Sequence, residues 1–186
     1  MRVTPFRCPR DGAERSPPIQ RLYGDLAADD RRNALIVSDI RELAGGRSPL
    51  VLTDRVAHLE ALAARLADVI PHVVVLRGGA GTHRRRAAIA SLDGVPPGVP
   101  CVVLATGRYV GEGFDDARPD TLLLTTPVSW PGTVWQYAGR ISRPRPGKDE
   151  VRIYDYADLE VPVLERMYRK RLRAYRALGY VPATAP

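Results

Sequence analysis

Two arginines at helical spacing are the side chains of this sequence with the most distinctive chemistry. The segment QYAGRISR, from Gln136 to Arg143, also contains Arg140, so a glutamine and two arginines recur at intervals of four and three residues. Such intervals can bring three side chains near one face of a helix. Two arginines directed at a γ-phosphate would stabilise the charge that develops during phosphoryl transfer. The alternative is that Arg140 and Arg143 are solvated, or form ion pairs with Asp115 and Asp116.

A glycine-rich segment, ATGRYVGEGFDD, begins with the last residue of the apolar run CVVLA. Its glycines, among them Gly107 and Gly113, let the backbone approach a ligand closely. The Thr106 hydroxyl could donate a hydrogen bond to a phosphate oxygen, and Asp115 could accept one from a ribose hydroxyl or a catalytic arginine. The alternative is an ordinary turn between a strand and a helix. The segment does not match GxGxxG, so a nicotinamide-dependent enzyme is not expected.

Secondary-structure elements must position these two segments. The hydrophobic pattern predicts that strands and helices alternate along the chain. Continuous apolar runs between helices are typical of a parallel sheet covered on both faces, here with five or six strands. Ligands of such sheets bind at the carboxyl ends of the strands, where Thr53 and the segments after Ala105 and Thr126 would lie. Asp54 is predicted to cap the helix after the first strand. The predicted strands are 49–53, 73–76, 101–105, 121–126 and 151–156, and the predicted helices are 29–43, 55–69, 83–92, 133–141 and 162–178.

The length of 186 residues and the apolar fraction of 45% fit one domain with its own core. Residues 1–18 are rich in proline and arginine and are predicted to form a tail or linker. Residues 19–180 are predicted to form the domain, and residues 181–186 a second tail. No internal repeat and no second domain is evident.

The charge balance, 28 basic against 21 acidic residues, gives a net charge of +7 that rests mainly on arginine. Arginine suits phosphate and nucleic-acid partners, although a high-GC genome would give the same bias. Neither disulfides nor a metal site are predicted, because Cys8, Cys101 and the three histidines have no suitable spacing. No apolar stretch approaches the roughly 20 residues of a membrane span, and no signal peptide is evident, so a cytoplasmic protein is expected.

The last predicted helix carries many arginines. Leu164, Tyr168, Leu172 and Tyr175 form one stripe along it, and the basic residues lie elsewhere. This pattern favours a helix with one packed face and one solvated face. A basic helix that faces nucleic acid is the alternative.

Taken together, the segments resemble the C-terminal RecA-like lobe of superfamily 2 DEAD/DEAH-box (type III restriction-like) bacterial helicases. PLVLTDRVAHLEALAARL is similar to helicase motif IV, and VLRGGAGTHRRRAAIASL to the segment that follows it. LATGRYVGEGFDD is similar to motif V. QYAGRISR matches the motif VI pattern Gln-x-x-Gly-Arg-x-x-Arg at every defined position. The resemblance covers residues 19–180 and implies an α/β fold with a three-layer parallel sheet.

The resemblance also implies contacts for particular residues. Thr53, Thr106 and Gly107 would contact the nucleic-acid backbone. Gly113 and Asp115 would lie near the nucleotide, in the cleft between the two lobes of a complete helicase.

The remaining implied roles concern ATP. Gln136, Arg140 and Arg143 would face ATP held by the other lobe, with Arg143 as the arginine finger and Arg140 as its partner. The sequence has no GxxxxGK[ST] loop and no Asp-Glu box. ATP and Mg²⁺ would therefore be held mainly by an N-terminal RecA-like lobe, in cis or in trans.

The expected function is that of one lobe of an ATP-dependent helicase or translocase that acts on nucleic acid, with DNA favoured over RNA. The isolated chain is not expected to hydrolyse ATP. The alternative is a stand-alone, non-catalytic module that binds nucleic acid or docks onto a partner protein.

Overall fold

The apolar runs of the sequence form one sheet. The computed structural model describes residues 1–8, 18–79 and 81–183, and within them the six strands are all parallel. The strands are β1 (Arg2–Val3), β2 (Pro49–Thr53), β3 (His72–Leu76), β4 (Cys101–Thr106), β5 (Thr121–Leu124) and β6 (Arg152–Ala157). Across the sheet their order is β1-β6-β5-β2-β4-β3, which places β2, β5 and β4 at its centre.

Helices cover both faces of this sheet. They are α1 (Ile19–Ala28), α2 (Asp30–Ala44), α3 (Val56–Leu66), α4 (Thr82–Asp93), α5 (Gly107–Gly113), α6 (Pro131–Ile141) and α7 (Pro162–Ala177). Alternate strand residues point to opposite faces, so Val51 and Leu123 pack against α2 and α3, whereas Leu50 and Leu122 pack against α4, α5 and α6. The predicted α/β class with a three-layer parallel sheet is confirmed. No helix in the described ranges is long and apolar enough to cross a membrane.

One local prediction was wrong, and the two helices α1 and α5 were not predicted. Asp54 does not cap α3, because that helix begins at Val56, its N-cap residue is Arg55, and no side chain caps it. Most of the glycine-rich segment is helical, since Gly107 begins α5 directly after β4 and the helix continues to Gly113. Helix α1 was not predicted, although Leu22 and Leu26, one turn apart, bury one of its sides.

The predicted N-terminal tail is partly a component of the fold. Residues 2 and 3 form edge strand β1 beside β6, and the Thr4 hydroxyl donates a hydrogen bond to Asp158 at 2.5 Å. Phe6 is 1% exposed and packs with Cys8 against α1 and α7. A strand of two residues has no detectable periodicity, which is why the sequence pattern missed it. Residues 9–17 and 184–186 of the predicted tails lie outside the described residues.

A buried ion pair fixes the part of the fold that receives this N-terminal segment. The Arg32 side chain is fully buried, and its Nε donates to Asp158 Oδ1 at 2.8 Å. Its Nη2 donates to the Thr125 carbonyl at 2.7 Å. Asp158 thus joins Arg32 of α2 to Thr4, and removal of either charged partner would leave the other charge buried.

Candidate functional site

The carboxyl ends of the two central strands β2 and β5 are joined by threonine hydroxyls. Thr53 Oγ1 lies 3.0 Å from Thr126 Oγ1, and the Asp54 amide donates to Thr126 Oγ1 at 3.2 Å. The Arg55 amide donates to Thr53 Oγ1 at 3.3 Å. Thr53, which was predicted to contact nucleic acid, is 2% exposed. In this structure its hydroxyl therefore organises the edge of the sheet.

A buried histidine supports the same edge. His58 Nδ1 lies 2.9 Å from Thr53 Oγ1, and His58 Nε2 lies 2.9 Å from Asn33 Oδ1. The Asn33 amide donates to the Ala27 carbonyl at 2.8 Å. Burial, assisted by nearby arginines, lowers the pKa of His58 to about 3. The imidazole is therefore neutral at physiological pH and links the end of β2 to helices α1 and α2.

Gly107 lies where two side chains converge. A Cβ built at this position would be 2.1 Å from the Tyr137 hydroxyl oxygen and 2.8 Å from Asp54 Oδ1. Only glycine leaves room for this approach without a shift of those groups. Burial, and then the Asp54 carboxylate, raises the pKa of Tyr137 to about 12, and burial raises that of Asp54. The phenol is therefore protonated and available as a hydrogen-bond donor at this edge.

Thr106 connects the same edge to a basic pocket. Its hydroxyl accepts a hydrogen bond from the Gly78 amide at 3.0 Å, and the residue is 6% exposed. Gly78 lines a pocket of about 430 Å³ beyond the carboxyl end of β3, together with Arg77 and Arg84. Glu60 forms an ion pair with Arg77, whereas Arg84 is exposed. The pocket thus offers positive charge beside Thr106.

The predicted arginine pair lies at the other end of α5. Arg140, in the last turn of α6, donates from Nη1 to the Phe114 carbonyl at 2.7 Å. Arg143 forms an ion pair with Asp115. Both arginines therefore contact the segment that follows α5, and the ion pair of Arg143 with Asp115 is one that the alternative interpretation named. Asp116 instead pairs with Arg118, at 2.8 Å.

Arg143 does not lie on the helix that carries Arg140. Helix α6 ends at Ile141, and Arg143 is two residues beyond. Its carbonyl accepts a hydrogen bond from Lys148 Nζ at 3.0 Å, and the same ammonium donates to the Ala117 carbonyl at 3.0 Å. Lys148 thus ties the segment after α6 to the segment after α5, a contact between distant residues that no motif indicated.

Helix α5 connects the two groups of predicted site residues. Thr106 and Gly107 lie at its beginning, whereas Gly113 is its last residue and Asp115 follows shortly after. Seven helical residues span about 10 Å. Helix α6 runs alongside and contacts both ends, through Tyr137 at Gly107 and through Arg140 at Phe114. Helix α6 thus bridges the two ends of α5.

The outward side of α6 is unusually aromatic. Trp130, immediately before the helix, is 71% exposed, and Trp135 is 52% exposed. A Cβ at Gly132 would be 2.7 Å from two carbons of the Trp130 ring, so this glycine permits the indole to lie against the helix. Gln136 and Gly139 are exposed on the same helix, and a Cβ at Gly139 would meet nothing within 4 Å. Gly139 therefore serves no packing contact inside the described part of the chain.

The donor chemistry of this site fits phosphate and not a metal ion. Guanidinium groups of Arg140 and Arg143 and the amide of Gln136 are hydrogen-bond donors that suit phosphate oxygens. Within the described ranges, no group of three His, Cys, Asp or Glu residues could hold a metal ion. The residues present therefore fit the phosphate end of a nucleotide, whereas Mg²⁺ would need ligands from another source.

Comparison with solved structures identifies the fold. UvsW from T4 matches 88% of this chain with a TM-score of 0.70 and 16% sequence identity, and this chain covers 36% of the UvsW chain. The C-terminal domain of the DEAD-box protein Dbp5 matches 80% of this chain with a TM-score of 0.57 and 17% identity, and 81% of that domain is covered. The chain therefore has the α/β fold of RecA-like helicase C-terminal domains, the fold that the resemblance implied.

A curated relative carries a related name. "Putative helicase 161L" of Invertebrate iridescent virus 6 is 29% identical over 167 residues, which cover 85% of this chain and 36% of the viral protein. The chain thus spans little more than a third of this relative's length. No protein-family model matches the sequence.

Proposed function

We propose that this chain is the C-terminal lobe of an ATP-dependent nucleic-acid helicase or translocase. In this proposal it contacts the nucleic-acid backbone at its strand ends and supplies an arginine finger to a nucleotide held by an N-terminal RecA-like lobe. The observation that carries the proposal is the arrangement around α5, on a fold that superfamily 2 helicases use for their C-terminal domains. One end of this short helix adjoins the strand-end threonines, and the other adjoins Arg140 and Arg143.

On the nucleotide side, Arg143 would act as the finger and Arg140 as its partner. ATP bound on the other lobe would supply the phosphoryl group whose transfer drives movement. Asp115 now holds the Arg143 guanidinium close to the segment after α5, and Arg140 is held by the Phe114 carbonyl. Both guanidinium groups are thus oriented before the lobes close, which reduces the reorganisation needed to stabilise a developing charge. Gln136 and Gly113 complete the proposed nucleotide side.

On the nucleic-acid side, the proposal rests on the edge formed by Thr53, Thr106 and Gly107. All three residues are buried. A phosphate backbone would therefore meet the groups that they hold in place, first of all the basic pocket beside Gly78. Contacts of this kind are made to backbone and depend on charge, so binding should weaken as salt rises. We propose DNA as the favoured substrate on the resemblance alone.

The test combines the chain with its N-terminal ATPase lobe, in cis or in trans, and measures ATP turnover in the presence of a single strand. Arg143→Ala should lower kcat by about 10³-fold or more, because an arginine finger stabilises charge that develops only in the transition state. Binding of the single strand should be unchanged. Arg145→Ala is the matched control, since Arg145 is exposed two residues further on and should leave both measurements unchanged.

Two outcomes would contradict the proposal. Loss of nucleic-acid binding with intact ATP turnover in Arg143→Ala would place this arginine on the nucleic acid. Absence of any ATP turnover in the unaltered combination, with nucleic-acid binding retained by the chain, would favour the non-catalytic module. The exposed Trp130 and Trp135 support docking onto another protein in either case.

A further inference from the structure

The exposed side of α7 is strongly basic. Five exposed cationic residues follow one another along it: Arg166, Arg169, Lys170, Arg173 and Arg176, here called the α7 basic face. The only acidic residue of this helix, Glu165, forms an ion pair with Arg169 at 2.6 Å. Within the described ranges, no carboxylate forms an ion pair with any of the other four. Most of the positive charge on this face is therefore uncompensated.

The opposite side of α7 is fixed to the sheet by a buried arginine. Arg171 donates from Nε and Nη2 to the two carboxylate oxygens of Asp155, at 2.7 and 2.8 Å. Its Nη1 donates to the Val128 carbonyl at 3.0 Å, and the Tyr175 hydroxyl donates to Asp155 at 2.8 Å. This anchoring holds the helix in one orientation. The α7 basic face is consequently presented as a rigid row of charges.

The exposed side of α2 differs from the α7 basic face. Helix α2, on the far face of the sheet, exposes Asp30 and Glu42 as well as Arg31 and Arg41. Charges of both signs along a helix are what a solvated surface ordinarily carries. The charge of the α7 basic face is therefore a local property and does not follow from the net charge of +7 alone.

We propose that the α7 basic face binds the phosphate backbone of double-stranded nucleic acid. The choice of nucleic acid as the polyanion rests on the proposed function, but the surface is separate from the strand-end site described above. From Arg166 to Arg176 the helix rises about 15 Å, a length over which a duplex carries roughly nine phosphate charges. A straight row of cations at this spacing matches a rigid polyanion of high charge density.

A duplex suits this surface better than a single strand. Proteins that bind single strands generally add aromatic side chains on which bases stack. The α7 basic face contains no aromatic residue. The nearby Tyr168 is covered by the guanidinium of Arg171, whose carbon lies 5.6 Å from the ring centre. The surface therefore offers phosphate contacts without a stacking platform. In the proposed function it would hold a duplex, while the carboxyl ends of the β-strands receive the adjoining single strand.

The test measures binding of the chain, without nucleotide, to a short blunt DNA duplex over a range of salt concentrations. In the double variant Arg166→Gln, Arg173→Gln, the slope of log K against log salt should lose about 1.8 in magnitude, because two phosphate contacts are removed. The same dependence of log K on log salt implies that affinity for the duplex at low salt should fall by about tenfold or more. Both residues are exposed, so circular dichroism and thermal unfolding should be unchanged.

The matched control is the double variant Arg31→Gln, Arg41→Gln on α2, which removes the same charge from another exposed helix. It should leave the salt slope and the affinity unchanged. The proposal is overturned if both double variants weaken duplex binding equally, or if neither does. It is also overturned if the α7 variant weakens binding only to vesicles that contain anionic lipid. Because no nucleotide or second lobe is present, failure of this test leaves the arginine-finger test untouched.

Discussion

At the scale of the residue, several side chains in this chain matter because of the groups that they hold in place. His58 contacts no expected ligand, yet it bridges Thr53 at the end of β2 and Asn33 of α2. Gly107 is needed because Tyr137 and Asp54 occupy the space of a Cβ. Lys148 fixes the carbonyl of Arg143, the proposed finger. These residues hold neighbouring groups in position. The spacing of residues along the sequence would not by itself assign any of them to a catalytic motif.

His58 predicts a specific dependence of stability on pH. Burial lowers its pKa from 6.5 to about 3, so below pH 6.5 the unfolded chain binds a proton that the folded chain does not. The free energy of unfolding should therefore fall with acidification, by about 1.4 kcal/mol per pH unit from this residue, until the pH approaches the folded pKa. Denaturant titrations of the unaltered chain and of His58→Gln between pH 7 and 4.5 would measure the difference, roughly 3 kcal/mol by pH 4.5.

The matched control for this prediction is His72→Gln, because His72 is partly exposed at the start of β3. Its pH profile should follow that of the unaltered chain. Parallel profiles for the unaltered chain and His58→Gln would show that His58 is not the group whose protonation opposes folding.

At the scale of the element, the N-terminal segment is the part whose role the sequence pattern described least well. Helix α7, by contrast, was predicted at 162–178 with one packed and one solvated face, and it is observed at Pro162–Ala177 with Leu164 and Tyr175 buried. Strand β1 is only two residues long, but Thr4 and Phe6 after it are buried against Asp158, α1 and α7. Helix α7 combines a buried Arg171–Asp155 pair with an exposed basic side. The N-terminal segment buries polar groups whose partners are distant in sequence, so it has no hydrophobic pattern that would reveal it.

Substitution in the N-terminal segment should test whether it belongs to the folded unit. Phe6→Ala should lower the free energy of unfolding by about 3–5 kcal/mol, because the ring is 1% exposed and its removal leaves a cavity. Val3→Ala, at a position 52% exposed, is the control and should change stability by less than about 0.5 kcal/mol. If Phe6→Ala and Val3→Ala both change the free energy of unfolding by a similarly small amount in equilibrium denaturation, residues 2–8 are a tail and not part of the folded unit.

At the scale of the whole molecule, three surfaces with different chemistry surround the sheet. The strand ends carry polar groups and a basic pocket, α6 exposes tryptophans beside the proposed arginine finger, and α7 exposes uncompensated positive charge. Aromatic residues are enriched at the centres of protein interfaces. This distribution matches the proposed lobe, which would meet another protein along α6 and nucleic acid at the other two surfaces.

Trp135→Ala should test the proposed contact with the N-terminal lobe. The indole is 52% exposed, so its loss should leave the free energy of unfolding nearly unchanged. If the side chain is buried on docking, the Kd for the N-terminal lobe should rise about thirtyfold, the effect of losing a 2 kcal/mol interface residue. Calorimetric titration would measure it, with Val69→Ala, an exposed position on the other face of the sheet, as control. An unchanged Kd would show that the N-terminal lobe does not dock onto the Trp135 side of α6.

The sequence by itself determined the α/β class, the central strands and the helices 29–43, 83–92, 133–141 and 162–178 to within about two residues. It could do so because buried parallel strands have continuous apolar runs, and because covering helices have an apolar period. It also placed Arg140 and Arg143 in one motif. The predicted helix 133–141 already left Arg143 outside it. Only the tertiary structure decided that Arg143 pairs with Asp115, since ion pairing depends on where two separate segments end.

The tertiary structure also decided the roles of polar residues that are buried. Thr53 and Thr106 are exposed groups in an extended chain, and their burial follows only from the parallel register that sets β2 between β4 and β5. The same holds for Arg32 and Arg171, whose partners Asp158 and Asp155 lie near or within β6. A one-dimensional pattern records which residues are apolar. It does not record which buried charge finds a partner, because that partner is brought near only when the sheet closes.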